Sequence, residues 1–241
     1  MTFELSAAQQ AARDRAQAFA RGQLAQAAAA IDESGRIDAS LLQQMQPIIG
    51  AAAGDPVLLV TVVEELAVAS AGAAAAAASV VDPKPNASTA PGLRGFHATG
   101  TGDTRSRLVM AAVALGIGRA AVTAAIDTLR ESARQSQDQE KPHWAVADAA
   151  TEVAAARALT LQAAQTMADE QAAAGFVAMA KLAAGRAAQL AVDVALRVTG
   201  PQGFVGGALL ERLARDARAV ALVLGTEEDL RAVASNALFP G

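Results

Sequence analysis

A chain of 241 residues can bury a substantial core, and 53% hydrophobic against 18% charged residues excludes a disordered polypeptide. The net charge of −4, with no block of Lys and Arg, argues against a nucleic-acid surface. The lack of cysteine excludes disulfides and thiolate chemistry, and the charged opening stretch excludes a secretion signal, so a cytoplasmic protein is expected.

Alanine dominates, aromatics are 3% and tyrosine is absent, which points to an all-α fold. An amphipathic helix is predicted over 3–30, capped by Ser6, with Gly35 ending the turn that follows. A short helix over 39–46 should stop at Pro47. The Asp55-Pro56 start signal opens a helix over 57–81, with Val60, Val63 and Leu66 on one stripe. Its uncharged part, 66–81, falls short of the roughly 20 residues that span a membrane, so a buried core helix is expected.

Residues 82–102 (DPKPNASTAPGLRGFHATGTG) have no apolar periodicity and read as a Pro/Gly-rich linker between an N-terminal helical lobe, 1–81, and a C-terminal bundle, 103–241. Helices are predicted over 104–133, 145–172, 177–199, 209–224 and 227–238, with a turn at Gly175 and a glycine cluster at 200–207. Thr226 should cap the last helix, whose first turn holds Glu228 and Asp229. Long helices joined by short loops describe an antiparallel bundle, and no strand pattern or fixed-period repeat occurs.

Two isolated histidines, His97 and His143, lack ligand spacing and a nucleophile elbow, so neither a metal site nor a hydrolase is expected. The turn GPQGFVGG (200–207) follows no strand, which excludes dinucleotide-binding and P-loop motifs. Glu211, Arg212, Arg215, Asp216 and Arg218 form a helical charge lattice of the solvated or structural kind.

The stretch 195–238, with VTGPQGF, ERLARDAR and LGTEED, resembles the C-terminal segment of acyl-CoA dehydrogenases, which read V-Q-x-H-G-G-x-G-[YF], E-R-x-x-R-D-A-R and E-G-T-x-E. ADAATE through Arg157, LGIGR at 115–119, VEELA at 63–67 and the N-terminal ELSAAQQAARDRAQAFA are similar to other helices of that family. The resemblance implies an all-helical relative in which residues 82–102 stand in place of the family's middle β-barrel. It also implies FAD contacts at Arg134, Gln135, Arg197, Gly200, Gly203, Phe204, Thr226 and Glu228, the first of them to a neighbouring subunit's flavin. Two departures stand out. Leu224 occupies the place of the catalytic Glu, and Pro201 replaces a glycine whose N–H could donate.

A non-catalytic, oligomeric subunit is therefore expected, supporting FAD binding beside a full-length acyl-CoA dehydrogenase in lipid metabolism. The alternatives are a repurposed helical enzyme acting on an acyl-CoA or a hydrophobic metabolite, and a purely structural subunit. The apolar residues spread along 145–199 (Val153, Leu159, Leu161, Met167, Val177, Met179, Leu182, Leu190, Val192, Val194 and Leu196) suggest surfaces that a partner must cover.

Overall fold

In a computed structural model, the structure describes residues 4–79, 90–96, 98, 101–133 and 140–239. Among the described residues ten α-helices follow one another and no strand occurs, so the all-α expectation holds. Helices α1 (Ala7–Phe19) and α2 (Ala25–Ser34) are joined by a π turn, Ala20–Leu24, so the single helix expected there is interrupted. Ser6 caps α1 through a reciprocal capping box with Gln9.

Helix α3 (Ala39–Gly50) runs through Pro47 instead of stopping there. Pro47 and Gln43 both face solvent, so the carbonyl that loses its N–H partner lies on the wet side of the helix. The helix expected over 57–81 is two, α4 (Pro56–Ala67) and α5 (Ala71–Ala78), because the Ser70 hydroxyl accepts the Ala73 N–H and starts a new helix. Of the expected linker, 82–89 lies outside the described residues, while 90–96 is tightly packed. Helix α5 approaches it so closely that a Cβ on Gly72 would lie 2.0 Å from the Arg94 carbonyl oxygen.

The long helices are α6 (Thr104–Ala133), α7 (Glu140–Gln165) and α8 (Glu170–Thr199). The α7–α8 turn lies at 166–169, where Asp169 caps the N–H groups of Gln171 and Ala172. Gly175 is therefore not a turn residue but a helical one. It sits against Ala237, which a Cβ at this position would meet at 2.2 Å. A 3-10 turn (Gly200–Phe204) leads into α9 (Leu209–Leu222), and α10 (Glu227–Leu238) follows.

Helix α8 packs against α6, α7, α9 and α10. That arrangement corrects the partner-facing reading of its apolar residues. Of the eleven named above, ten are buried or half-buried by the chain itself and only Leu190 is exposed. Helix α6 is long and apolar enough to cross a membrane, yet 72% of its most apolar stretch is buried by the other helices. One continuous core runs from Ala12 on α1 to Leu224 beyond α9.

Two polar clusters pin α1, α2 and α4 onto the bundle. On α4, Glu64 is fully buried and accepts from Arg119 at 2.7 Å and from Arg157 at 2.8 Å. Its neighbour Glu65 accepts from Arg119 at 3.0 Å and from Gln17 at 3.4 Å. Burial works against the Arg119 charge, but Glu65 and Glu64 hold its pKa above the ordinary guanidinium value. In the second cluster, Arg215 on α9 pairs with Asp32 at 2.7 Å and Glu211 at 2.7 Å and donates to the Pro91 carbonyl. Beside it Asp216 accepts the Leu93 N–H at 2.6 Å, and burial raises its carboxyl to about 6.

Replacing Gly72 by Ala should lower the unfolding free energy by roughly 1–3 kcal/mol, because the 90–96 backbone must retreat from the added methyl. Gly50→Ala, with nothing within 4 Å of the new methyl, should be neutral or slightly stabilising in the same urea titration. Equal effects at the two glycines would refute the close packing.

Candidate functional site

The turn after α9 carries the position that the family resemblance marks for chemistry. Val223 leaves the helix in an extended conformation, Leu224 adopts φ 58 and Gly225 φ 123. A left-handed leucine is uncommon, because its Cβ crowds the backbone. Here Leu224 is 2% exposed and packs over Gly102, where a Cβ would come within 2.9 Å of it. Lys181 on α8 holds the turn from beneath. Its Nζ donates to the Val223 carbonyl at 2.5 Å and to the Gly225 carbonyl at 2.7 Å, one on each side of Leu224. Position 224 is thus directed into the core by a clamp.

Burial, then the nearby Arg107, lowers the Lys181 ammonium from 10.5 to about 8, with Asp229 opposing. Arg107 donates to the Thr101 carbonyl at 3.0 Å. Asp229 is committed to the cap of α10, accepting from the Thr226 hydroxyl at 2.8 Å and its N–H at 2.9 Å. Those bonds lower its pKa and make it a weak base. Glu228 is exposed on the first turn of α10, and the Lys181 amine is buried with its hydrogens directed at two carbonyls. Among the described residues around the turn, none is placed as a general base over an open cleft. Also among them, no group of three or more His, Asp or Glu side chains could hold a metal ion.

The other residues singled out from sequence lie apart. Arg134, Gln135 and His97 are outside the described residues. Arg197 is exposed and paired with Asp193 at 2.9 Å. Gly200 has φ 72, and a Cβ there would meet nothing within 4 Å; Gly203 is buried, close to Leu196 and Leu210. Phe204 is 65% exposed. These residues precede α9, whereas Thr226 and Glu228 follow it, and its 14 residues separate the two groups by about 20 Å. The Thr226 hydroxyl is already used in its cap. Neither group forms a closed cradle, and within one chain the described residues do not fit a whole FAD.

As single residues, Lys181 and Arg107 carry no signal in the sequence. The available clue to the clamp is a lysine set among Val177, Ala178, Ala180 and Ala184, on a helix face with no carboxylate to receive it.

Comparisons with known proteins agree on one family. The family described as acyl-CoA dehydrogenase, C-terminal domain, matches residues 94–239. The 3-sulfinopropanoyl-CoA desulfinase of Paraburkholderia xenovorans (strain LB400) is 32% identical over 148 residues, covering 60% of this chain and 38% of that protein. The mitochondrial short-chain specific acyl-CoA dehydrogenase of Bos taurus is 33% identical over 160 residues, covering 65% and 39%. The chain therefore spans well under half the length of these curated relatives. Among solved structures, a chain from a study of the electron transferring flavoprotein of Acidaminococcus fermentans superposes with TM-score 0.83 at 18% identity, covering 100% of both chains. Butyryl-CoA dehydrogenase from Megasphaera elsdenii gives 0.78 at 19%, covering 99% of this chain and 100% of that one. At such identities the superpositions speak for the fold alone.

The Lys181 clamp has a pH signature. Between about pH 8 and 10.5 the unfolded chain keeps a proton on this lysine that the folded chain has released, so stability must rise with pH. The sequence has no Tyr or Cys and only two other lysines, Lys84 and Lys141. Urea unfolding from pH 8 to 10 should show a gain on the order of 1 kcal/mol per pH unit that Lys181→Met abolishes. An identical pH profile in the variant would contradict the buried clamp.

Proposed function

The chain belongs to the acyl-CoA dehydrogenase family, and from that premise we propose that it serves as a non-catalytic subunit supporting FAD binding beside a second, complete family member. The observation that carries this reading is Leu224. The carboxylate that would take the substrate proton is replaced by a leucine, and the leucine is built into the core by a lysine clamp. The backbone carbonyls on both sides of it are tied down.

The separation of the flavin-contact residues supports a shared cofactor. FAD in this family accepts the hydride, and the ends of α9 offer separate contacts that a neighbouring chain would complete. This chain's own share would be orientation: Gly200 and Gly203 shape one corner, and the Thr226 cap fixes where α10 begins. Exposed apolar side chains collect at the same corner, where Phe204, Val205 and Leu209 are all solvent-facing. Leu222, Leu238 and Phe239 are exposed along the C-terminal helices. Where such residues adjoin, as Phe204 and Val205 do, burial at a symmetric or mixed interface is the reading we favour.

The isolated chain should give no electron-acceptor reduction with butyryl-CoA. Leu224→Glu alone should not restore it, since the new carboxylate would start from a core-facing position and no flavin would be held. Turnover by the unmodified single chain would overturn the proposal.

A further inference from the structure

A cleft beside the Glu65–Arg119 pair has the build of a ligand site. It encloses about 360 Å³ between the α1–α2 arm, α4, α6 and the start of α9. That volume lies within the range of small-molecule sites. The wall is largely apolar, with Ala20, Ala28, Val68 and Ala69 among its residues, and three guanidinium groups line it: Arg21, Arg119 and Arg212. One carboxylate, Glu65, also lines it, already engaged by Arg119 and Gln17. The guanidinium groups of Arg21 and Arg212 have no hydrogen bond or ion pair among the described residues, although Arg212 lies within electrostatic range of Asp216.

The π turn accounts for the wall's shape. Gln17, Arg21, Ala25 and Ala28 all line the cleft, mostly four residues apart. On an unbroken helix of 3.6 residues per turn such a series would drift over about 80° of the surface. The wider turn at Ala20–Leu24 cancels part of that drift and keeps Arg21 in line with Gln17 and Ala25. A guanidinium presents paired N–H donors that match a carboxylate, and the apolar wall beneath favours a hydrocarbon body over a bare anion.

We infer that this cleft binds a small amphiphilic carboxylate, its head on Arg21 and Arg212 and its apolar body along Ala28, Val68 and Ala69. The cleft needs neither flavin nor a second chain, so it stands apart from the subunit role.

Octanoate titrated into the full chain, followed by calorimetry, should bind saturably at one site. Octanol and inorganic phosphate, each with half of the required chemistry, should bind roughly tenfold more weakly or worse. Arg21→Ala and Arg212→Ala should each weaken octanoate about tenfold with helical content unchanged, as expected for losing a charge-assisted bond. Arg130→Ala, outside the cleft, should leave affinity as it was. Failure of octanoate to saturate, equal affinity for octanol or phosphate, or indifference to both arginine substitutions overturns the inference.

Discussion

The fold depends on a carboxylate that has no access to water. Glu64 lies in the middle of α4, and a lone buried carboxylate would cost several kcal/mol to keep charged. Arg119 from α6 and Arg157 from α7 meet its two oxygens, so three helices distant in sequence must converge at one point. Arg119 extends the arrangement to Glu65, and Gln17 brings in α1. Such a cluster is worth more as a constraint than as net stability, because each member forbids alternative packings that would strand the charge. Glu65 and Arg119 of this cluster also line the arginine-rich cleft, and Gln17 seats α1 on the bundle.

The Leu224 turn obeys a similar rule with the charges reversed. Lys181 is a buried cation whose hydrogens find two carbonyls, and its cost appears as a lowered pKa rather than a partner carboxylate. The clamp explains why a leucine tolerates left-handed backbone there: side-chain burial and two hydrogen bonds oppose the strain. Leu93, the other left-handed leucine among the described residues, is held in a comparable manner, by Asp216 through its N–H. One leucine is thus tied to the side of α9 and the other lies directly after that helix, and both join the continuous core.

Much of this was legible in the residues alone. The span 104–133, the Ser6 and Thr226 caps and the Asp55-Pro56 start all carry local chemical signals, and each is where the sequence puts it. What escaped was decided by distant contacts. Gly175 looks like a turn residue until Ala237 is seen against it, and nothing local announces that Gly72 meets the 90–96 backbone. The π turn has no sequence signature beyond Gly22. At the site, position 224 could be recognised by resemblance, but the clamp joins residues 42 and 44 apart, which no local pattern reveals.

A division of labour fits these features: a helical chain whose proposed flavin contacts lie at two separated corners, no base placed among the described residues of its turn, and apolar groups left at one of those corners. Sedimentation of the native, untagged protein with simultaneous detection of visible flavin absorption tests it most directly. Flavin should travel only with a species heavier than the single chain and be absent from the separated chain. A single chain sedimenting alone with one tightly held FAD would contradict it.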